Sequence, residues 1–147
     1  MPAVASSPAP TRRLGRYLVY DELASGGLGS VHLARLLGPG GFSRTVAIKR
    51  LHPQFAKDPD FVTPFLDEAR LATRVQHPNV AQTVDVVTEE GEVFLVMDYV
   101  HGEALLRLLK VAAAEQRRPP PNIMSAVVLD ALRGLHAAHE AVDERGG

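Results

Sequence analysis

Three glycines within four residues, Gly26, Gly27 and Gly29 of the stretch LASGGLGSVHLAR (residues 23–35), leave a backbone bare enough for its N–H groups to close around a phosphate. Two charged residues downstream could share that work. Lys49, in TVAIKRL (residues 45–51), would bring a cation, and Glu68 would bring the anion that a lysine among apolar neighbours needs. The same glycines also suit a hairpin turn with no ligand, so the loop alone leaves both readings open. Two other phosphate loops are excluded. The chain has no Gly-Lys pair, which the P-loop requires. A dinucleotide fold needs its glycines to open a helix, whereas here the following residues alternate and turn early, as a strand does.

These side chains must be positioned by the elements around them. A strand has period two, so Ala47, Lys49 and Leu51 share one face, and Val46, Ile48 and Arg50 share the other. Phe61, Phe65, Glu68, Ala72 and Val75 are spaced 4, 3, 4, 3, which is one face of a helix. Glu68 then sits inside an apolar stripe, with Asp67 and Arg70 off it. Burying an unpaired carboxylate is costly, and the preceding strand offers Lys49 as its partner. The competing reading is a shallow stripe with Glu68 open to water and Lys49 extended into solvent from an edge strand.

Along the chain, residues 1–14 are rich in Pro, Ala and Ser at their start and read as a disordered leader. Strand patterns follow in RYLVYDEL, VHLARLL and RTVAIKRL, the first two joined by the glycine turn. A helix is expected from a Thr63-Pro64 start to about Gln76, with His77 of HPN capping its end. Two strands (residues 80–88 and 93–98) and two helices (residues 104–116 and 123–142) complete the pattern. The expected fold class is α+β: a five-stranded antiparallel sheet with one packed helix, in the order β-β-β-α-β-β, then two helices.

Composition narrows the function. The 147 residues carry a net charge of −1 and no cysteine, so no broad basic field, disulfide framework or thiolate metal site is available. No run approaches the length of a membrane span, and a cytoplasmic protein with no nucleic-acid partner is expected. His136 and His139 could share a metal at i, i+3, but no third ligand is evident, and no metal site is assigned. RRPPP (residues 117–121) reads as a solvated connector. Ile123, Val127, Leu129, Leu132 and Leu135 would give the last helix an exposed apolar face and a tendency to self-associate.

Glycine turn, VAIK strand, helix with a central Glu, HPNV, and a strand ending in LVMDYV occur in that order. This arrangement resembles the N-terminal lobe of eukaryotic-like bacterial serine/threonine protein kinases. Twenty residues from Gly29 to Lys49 and nineteen from Lys49 to Glu68 agree with it. The resemblance implies a kinase N-lobe and hinge over residues 15–101 and a partial C-lobe over 102–147. It implies ATP as cofactor, with Leu23 over the adenine and Gly26, Gly27, Gly29 and the Ser25 and Ser30 backbone over the triphosphate. Val31 and Ala47 would sandwich the adenine, Met97 would guard the back of the pocket, and Asp98 and Val100, flanking Tyr99, would offer it backbone hydrogen bonds. Lys49 would hold the α- and β-phosphates and Glu68 would fix its ammonium.

Four features depart from that pattern. Ala24 stands where the family has its first loop glycine, Pro64 falls in a normally helical segment, and the ribose-contacting carboxylate has no clear counterpart at Glu103 or Ala104. Above all, neither His-Arg-Asp…Asn nor Asp-Phe-Gly is present, and Asp130, Asp143 and Glu144 lack the surrounding motif. The Mg2+ of the complete family member therefore has no ligands here, and the chain alone is expected to lack turnover. Two functions follow: the ATP-binding portion of a serine/threonine kinase whose sequence ends early, or a non-catalytic nucleotide-binding or interaction module acting on a partner kinase. Coding DNA past Gly147 separates them, since a frame resuming with His-Arg-Asp marks the first.

Overall fold

The computed structural model describes residues 9–141. Six antiparallel strands form one sheet: β1 (Arg12–Leu14), β2 (Tyr17–Ser25), β3 (Gly29–Leu37), β4 (Ser43–Leu51), β5 (Thr83–Glu89) and β6 (Glu92–Asp98), in spatial order β1-β2-β3-β4-β6-β5. Helix α1 (Pro59–Ala72) links β4 to β5, and α2 (Leu105–Ala114) and α3 (Pro121–His139) follow the sheet. The α+β order is as expected, with six strands in place of five. The added strand lies in the stretch read as leader. Leu14 is fully buried, and Arg12 pairs with Val19 and Leu14 with Tyr17. Three residues with a single apolar side chain are too few to show a period. Residues 1–8 of that leader and Val142, the expected end of the last helix, lie outside the described residues.

The sheet curls until its two edges meet. Arg12 on β1 pairs with Glu89 at 3.4 Å and Glu90 at 3.3 Å, and its guanidinium lies 5.2 Å from the Phe94 ring centroid. At the β2 end, the Tyr17 hydroxyl donates to Asp85 Oδ2 at 2.6 Å and Arg16 donates to the same oxygen at 3.1 Å. β1 and β5 are opposite ends of the strand order, so only a strongly curled sheet can bring these groups together. Inside the curl Leu14, Tyr17, Val19, Ala34, Val46, Ile48, Phe94 and Val96 form one core.

The other face carries α1. Phe65 and Ala69 pack with Leu51, Ala56 and Leu95, flanked by Phe61, Val62 and Met97. The helix starts five residues before the expected Thr63-Pro64. Asp58 is the N-cap, its Oδ1 accepting from the Asp60 N–H at 3.0 Å, and Pro59 opens the first turn. Both Xaa-Pro pairs carry the same start signal, and the capped one prevails. Pro64 lies inside the helix and removes the N–H that would reach the carbonyl of Asp60, an exposed residue. The helix ends at Ala72, not Gln76. Thr73 is its C-cap, and its hydroxyl donates to the Arg70 carbonyl at 2.8 Å. His77 does not cap it; its Nδ1 accepts from the Asn79 N–H at 3.1 Å in the following turn.

Helix α3 approaches that turn at Gly134, where a Cβ would sit 2.9 Å from the Asn79 carbonyl oxygen. Ile123, Val127, Leu129, Leu132 and Leu135 of this helix are all exposed, as expected.

The edge closure has a pH dependence. The hydrogen bond from Tyr17, with those from Arg16 and the Val86 N–H, holds the Asp85 carboxyl below its ordinary pKa. A group depressed on folding contributes stability above its unfolded pKa and loses it as pH falls through the folded one. Thermal unfolding should therefore show Asp85→Asn about 1 kcal/mol less stable at pH 7, a figure reduced because the side chain is one-third exposed. That gap should close as pH falls below the ordinary carboxylate range.

Candidate nucleotide site

The ladder through β3, β4 and β6 decides which side chains meet. Val31 lies opposite Lys49 and Lys49 opposite Leu95; Leu33 lies opposite Ala47 and Ala47 opposite Met97. Directly paired residues share a face, so Val31, Ala47, Lys49 and Met97 all stand on the face that carries α1. Lys49 Nζ donates to Glu68 Oε1 at 2.8 Å and lies 5.6 Å from the Phe65 ring centroid. The pair borders a cleft of about 200 Å³ that is also lined by Leu28, Gly29, Asp60, Phe61 and Pro64.

Pairing is thus present, but for a different reason than burial. The Glu68 side chain is 60% exposed and that of Lys49 33%. The true apolar axis of α1 runs through Phe65 and Ala69, so Glu68 falls at its margin, facing the cleft. An ion pair this exposed contributes about 0–1 kcal/mol to stability. What it provides is a fixed ammonium position. The flanking Phe65 ring, read from sequence only as a core residue, adds a cation–π contact to the same ammonium.

The glycines differ among themselves. At Gly27 nothing lies within 4 Å of an added Cβ, and at Gly26 the nearest atom is 3.9 Å away. At Gly29 an added Cβ would stand 2.2 Å from the Arg50 carbonyl oxygen. The first two border open space that a phosphate could use, whereas Gly29 permits close approach of β3 to β4. Ser25 and Ser30 are paired as the last rung of the β2–β3 hairpin. Ser30 is buried with its hydroxyl 3.0 Å from His32 Nε2, so only its backbone belongs near the loop. Leu23 is half-exposed on β2.

Asp98, Tyr99 and Val100 leave the end of β6. The Asp98 carboxylate pairs with Arg44, and its N–H donates to the Gln82 carbonyl at 2.8 Å, leaving the backbone carbonyl as the group it can offer a ligand. A larger hollow of about 550 Å³ lies beside these three residues, against Arg44 and the 78–81 turn. It includes neither Lys49 nor a loop glycine and does not join the Lys49 cleft. His52, which sequence reasoning did not single out, contacts the glycine loop directly through its ring, 2.9 Å from the Gly26 carbonyl oxygen. Among the described residues no group of three or more His, Asp or Glu side chains gathers as a metal site, and Asp143 and Glu144 lie outside those residues.

Comparison with known proteins agrees with this arrangement. The protein kinase domain model matches residues 17–142, and the chain belongs to that family. It is 42% identical over 132 residues to the tyrosine-protein kinase MasK of Myxococcus xanthus, covering 90% of this chain and 20% of that protein. It is 37% identical over 131 residues to the serine/threonine-protein kinase PkaB of Streptomyces coelicolor, covering 88% of this chain and 29% of PkaB. The chain therefore spans less than a third of the length of these relatives. The crystal structure of the Mycobacterium tuberculosis PknI kinase domain superposes with a TM-score of 0.68 at 27% identity, over 91% of this chain and 52% of that one.

The two kinds of loop glycine should separate in unfolding experiments. Gly29→Ala should destabilise the fold by about 3 kcal/mol, the upper end for overpacking, because the obstacle is backbone. Gly27→Ala, with open space around it, should leave stability within about 0.5 kcal/mol of the parent.

Proposed function

We propose that this chain forms the ATP-binding part of a protein kinase that transfers the γ-phosphoryl group of ATP to serine or threonine hydroxyls in the cytoplasm. The observation that carries the reading is the 2.8 Å contact between Lys49 on β4 and Glu68 on α1 beside the cleft beneath the glycine loop. In this reading Gly26, Gly27 and Gly29, with the Ser25 and Ser30 backbone, cover the triphosphate, and Lys49 holds the α- and β-phosphates while Glu68 orients it. Leu23, Val31 and Ala47 enclose the adenine, Met97 closes its inner end, and Asp98 and Val100 meet its edge through backbone groups on either side of Tyr99. The bare backbone at Gly26 and Gly27 and the shared face of Val31, Ala47, Lys49 and Met97 fit a nucleotide.

ATP supplies the phosphoryl group; this chain's residues bind, orient and partly desolvate it. We assign no magnesium ligand, because the sequence contains no Asp-Phe-Gly. Serine or threonine as acceptor rests on relatives such as PkaB and the Bacillus subtilis PrkC, both named serine/threonine-protein kinases, although MasK is named a tyrosine-protein kinase. Among the described residues no helix is long and apolar enough to cross a membrane. The open apolar face of α3 favours self-association of the isolated chain.

Titration calorimetry on the 147-residue chain tests the reading. ATP should bind weakly, and Lys49→Ala should lower its affinity at least tenfold by removing a charge-assisted contact to phosphate. Equal ATP affinity in the two proteins would overturn it. The chain alone should give no Lys49-dependent phosphotransfer, since no His-Arg-Asp aspartate is present to orient a hydroxyl.

A further inference from the structure

We infer that His52 is a positioning residue that turns the peptide planes of the glycine loop so that they present amide groups, and not carbonyls, to an anionic ligand. The inference rests on the nucleotide reading above and adds to it a residue outside the loop, strand and helix positions already given roles.

The observations are contacts of one residue with the loop and the pattern they leave behind. His52 Nε2 lies 2.9 Å from the Gly26 carbonyl oxygen, and the His52 backbone N–H donates to the Leu28 carbonyl at 2.9 Å. A carbonyl only accepts, so Nε2 is the donor in the first contact. The Gly29 carbonyl is also engaged, accepting from the Gly26 N–H at 2.8 Å. Three carbonyls of residues 26–29 are therefore satisfied within the protein, two of them by His52. Among the described residues the N–H groups of Gly27 and Leu28 have no hydrogen-bond partner, and neither has the Gly27 carbonyl, which the trans peptide directs away from the Leu28 N–H.

That asymmetry has an electrostatic meaning. In a trans peptide the carbonyl and the following N–H point in opposite directions. Drawing the Gly26 carbonyl to His52 thus turns the Gly27 N–H the other way. A loop whose carbonyls were free could rotate their negative ends toward a phosphate and repel it; a loop whose carbonyls are tied back exposes its positive ends. No side chain obstructs the approach at Gly26 or Gly27.

The local sequence explains why His52 can do this. It follows the last residue of β4, so its N–H continues the edge of that strand toward Leu28. Pro53 comes next and restricts the preceding residue to extended backbone, which limits the directions the ring can take. The His52 carbonyl accepts from the N–H groups of Phe55 and Ala56, fixing the turn on its other side. The ring is half-buried and held at both ends of its own backbone.

The test is a comparison of ATP with adenosine, which shares the base and sugar but has no phosphate. His52→Phe keeps a ring and removes the donor, and His52→Gln restores a donor. Titration of the 147-residue chain should show ATP affinity about fivefold lower in His52→Phe, the factor an ordinary hydrogen bond carries, with adenosine affinity unchanged. His52→Gln should recover part of the ATP affinity. Hydrogen exchange should quicken at Gly26 and remain unchanged at the β3–β4 ladder. If His52→Phe does not fold, His52→Asn, too short to reach Gly26, takes its place. An ATP-to-adenosine ratio that is unchanged or raised overturns the role of His52, as does an equal loss for both ligands. If the parent chain binds ATP and Lys49→Ala weakens it while the His52 variants do not, the nucleotide reading stands and this inference alone falls. A folded parent chain with no ATP binding removes both.

Discussion

The site depends on how α1 is seated on the sheet. Phe65 and Ala69 pack against Leu51, Ala56 and Leu95, and this apolar contact, not the ion pair, holds the helix in place. Lys49 lies directly opposite Leu95 in the ladder, so the residues that seat the helix also fix where the lysine starts. Glu68 then completes a geometry the core has already set. Among the described residues Lys49–Glu68 is the sole salt bridge between the sheet and α1. An exposed pair contributes little to stability, so it can be remade when a more negative partner competes for the ammonium. A deeply buried pair would resist that exchange, because breaking it leaves an uncompensated charge.

Curling of the sheet serves the same end from the opposite face. Arg12 with Glu89 and Glu90, and Arg16 and Tyr17 with Asp85, tie the first strands to the last hairpin. The enclosed core includes Val46 and Ile48 of β4, the strand that carries Lys49 on its other face. β4 is thereby packed on both sides, which is why its buried run from Val46 to Ile48 does not alternate. One face keeps the strand rigid and the other displays the cation.

How far sequence alone reached follows from the range of each interaction. The five longer strands were legible through alternation and β-branching, and the glycine turn through composition. β1 was not, because three residues carry no period. The start of α1 was misplaced because Asp58-Pro59 and Thr63-Pro64 present the same signal, and only the cap bond at Asp58 distinguishes them. Lys49 and Glu68 were paired correctly from the premise of a buried acid, yet the carboxylate is mostly solvated. The 4-3-4-3 spacing located the right side of the helix but placed its centre one residue off, on Glu68 and not on Ala69. His52 left no legible signal, since its acceptor is a backbone carbonyl 26 residues away and any residue could supply that carbonyl.

The glycine cluster shows why a motif is weaker evidence than the geometry beneath it. One pattern of letters conceals two physical demands. Gly29 satisfies a demand between strands: β3 passes so near the Arg50 carbonyl that no Cβ fits. Gly26 and Gly27 have no such neighbour, so packing within the fold does not require them to lack a side chain. The alanine at the position of the family's first loop glycine fits this division. Ala24 lies within β2, just past an irregularity in the β2–β3 ladder, paired with Val31 and exposed, where a methyl group reaches solvent. Within this cluster the close approach that excludes a Cβ is thus confined to Gly29, and the open backbone to the turn after Ser25, where the Gly26 and Leu28 carbonyls are held by His52.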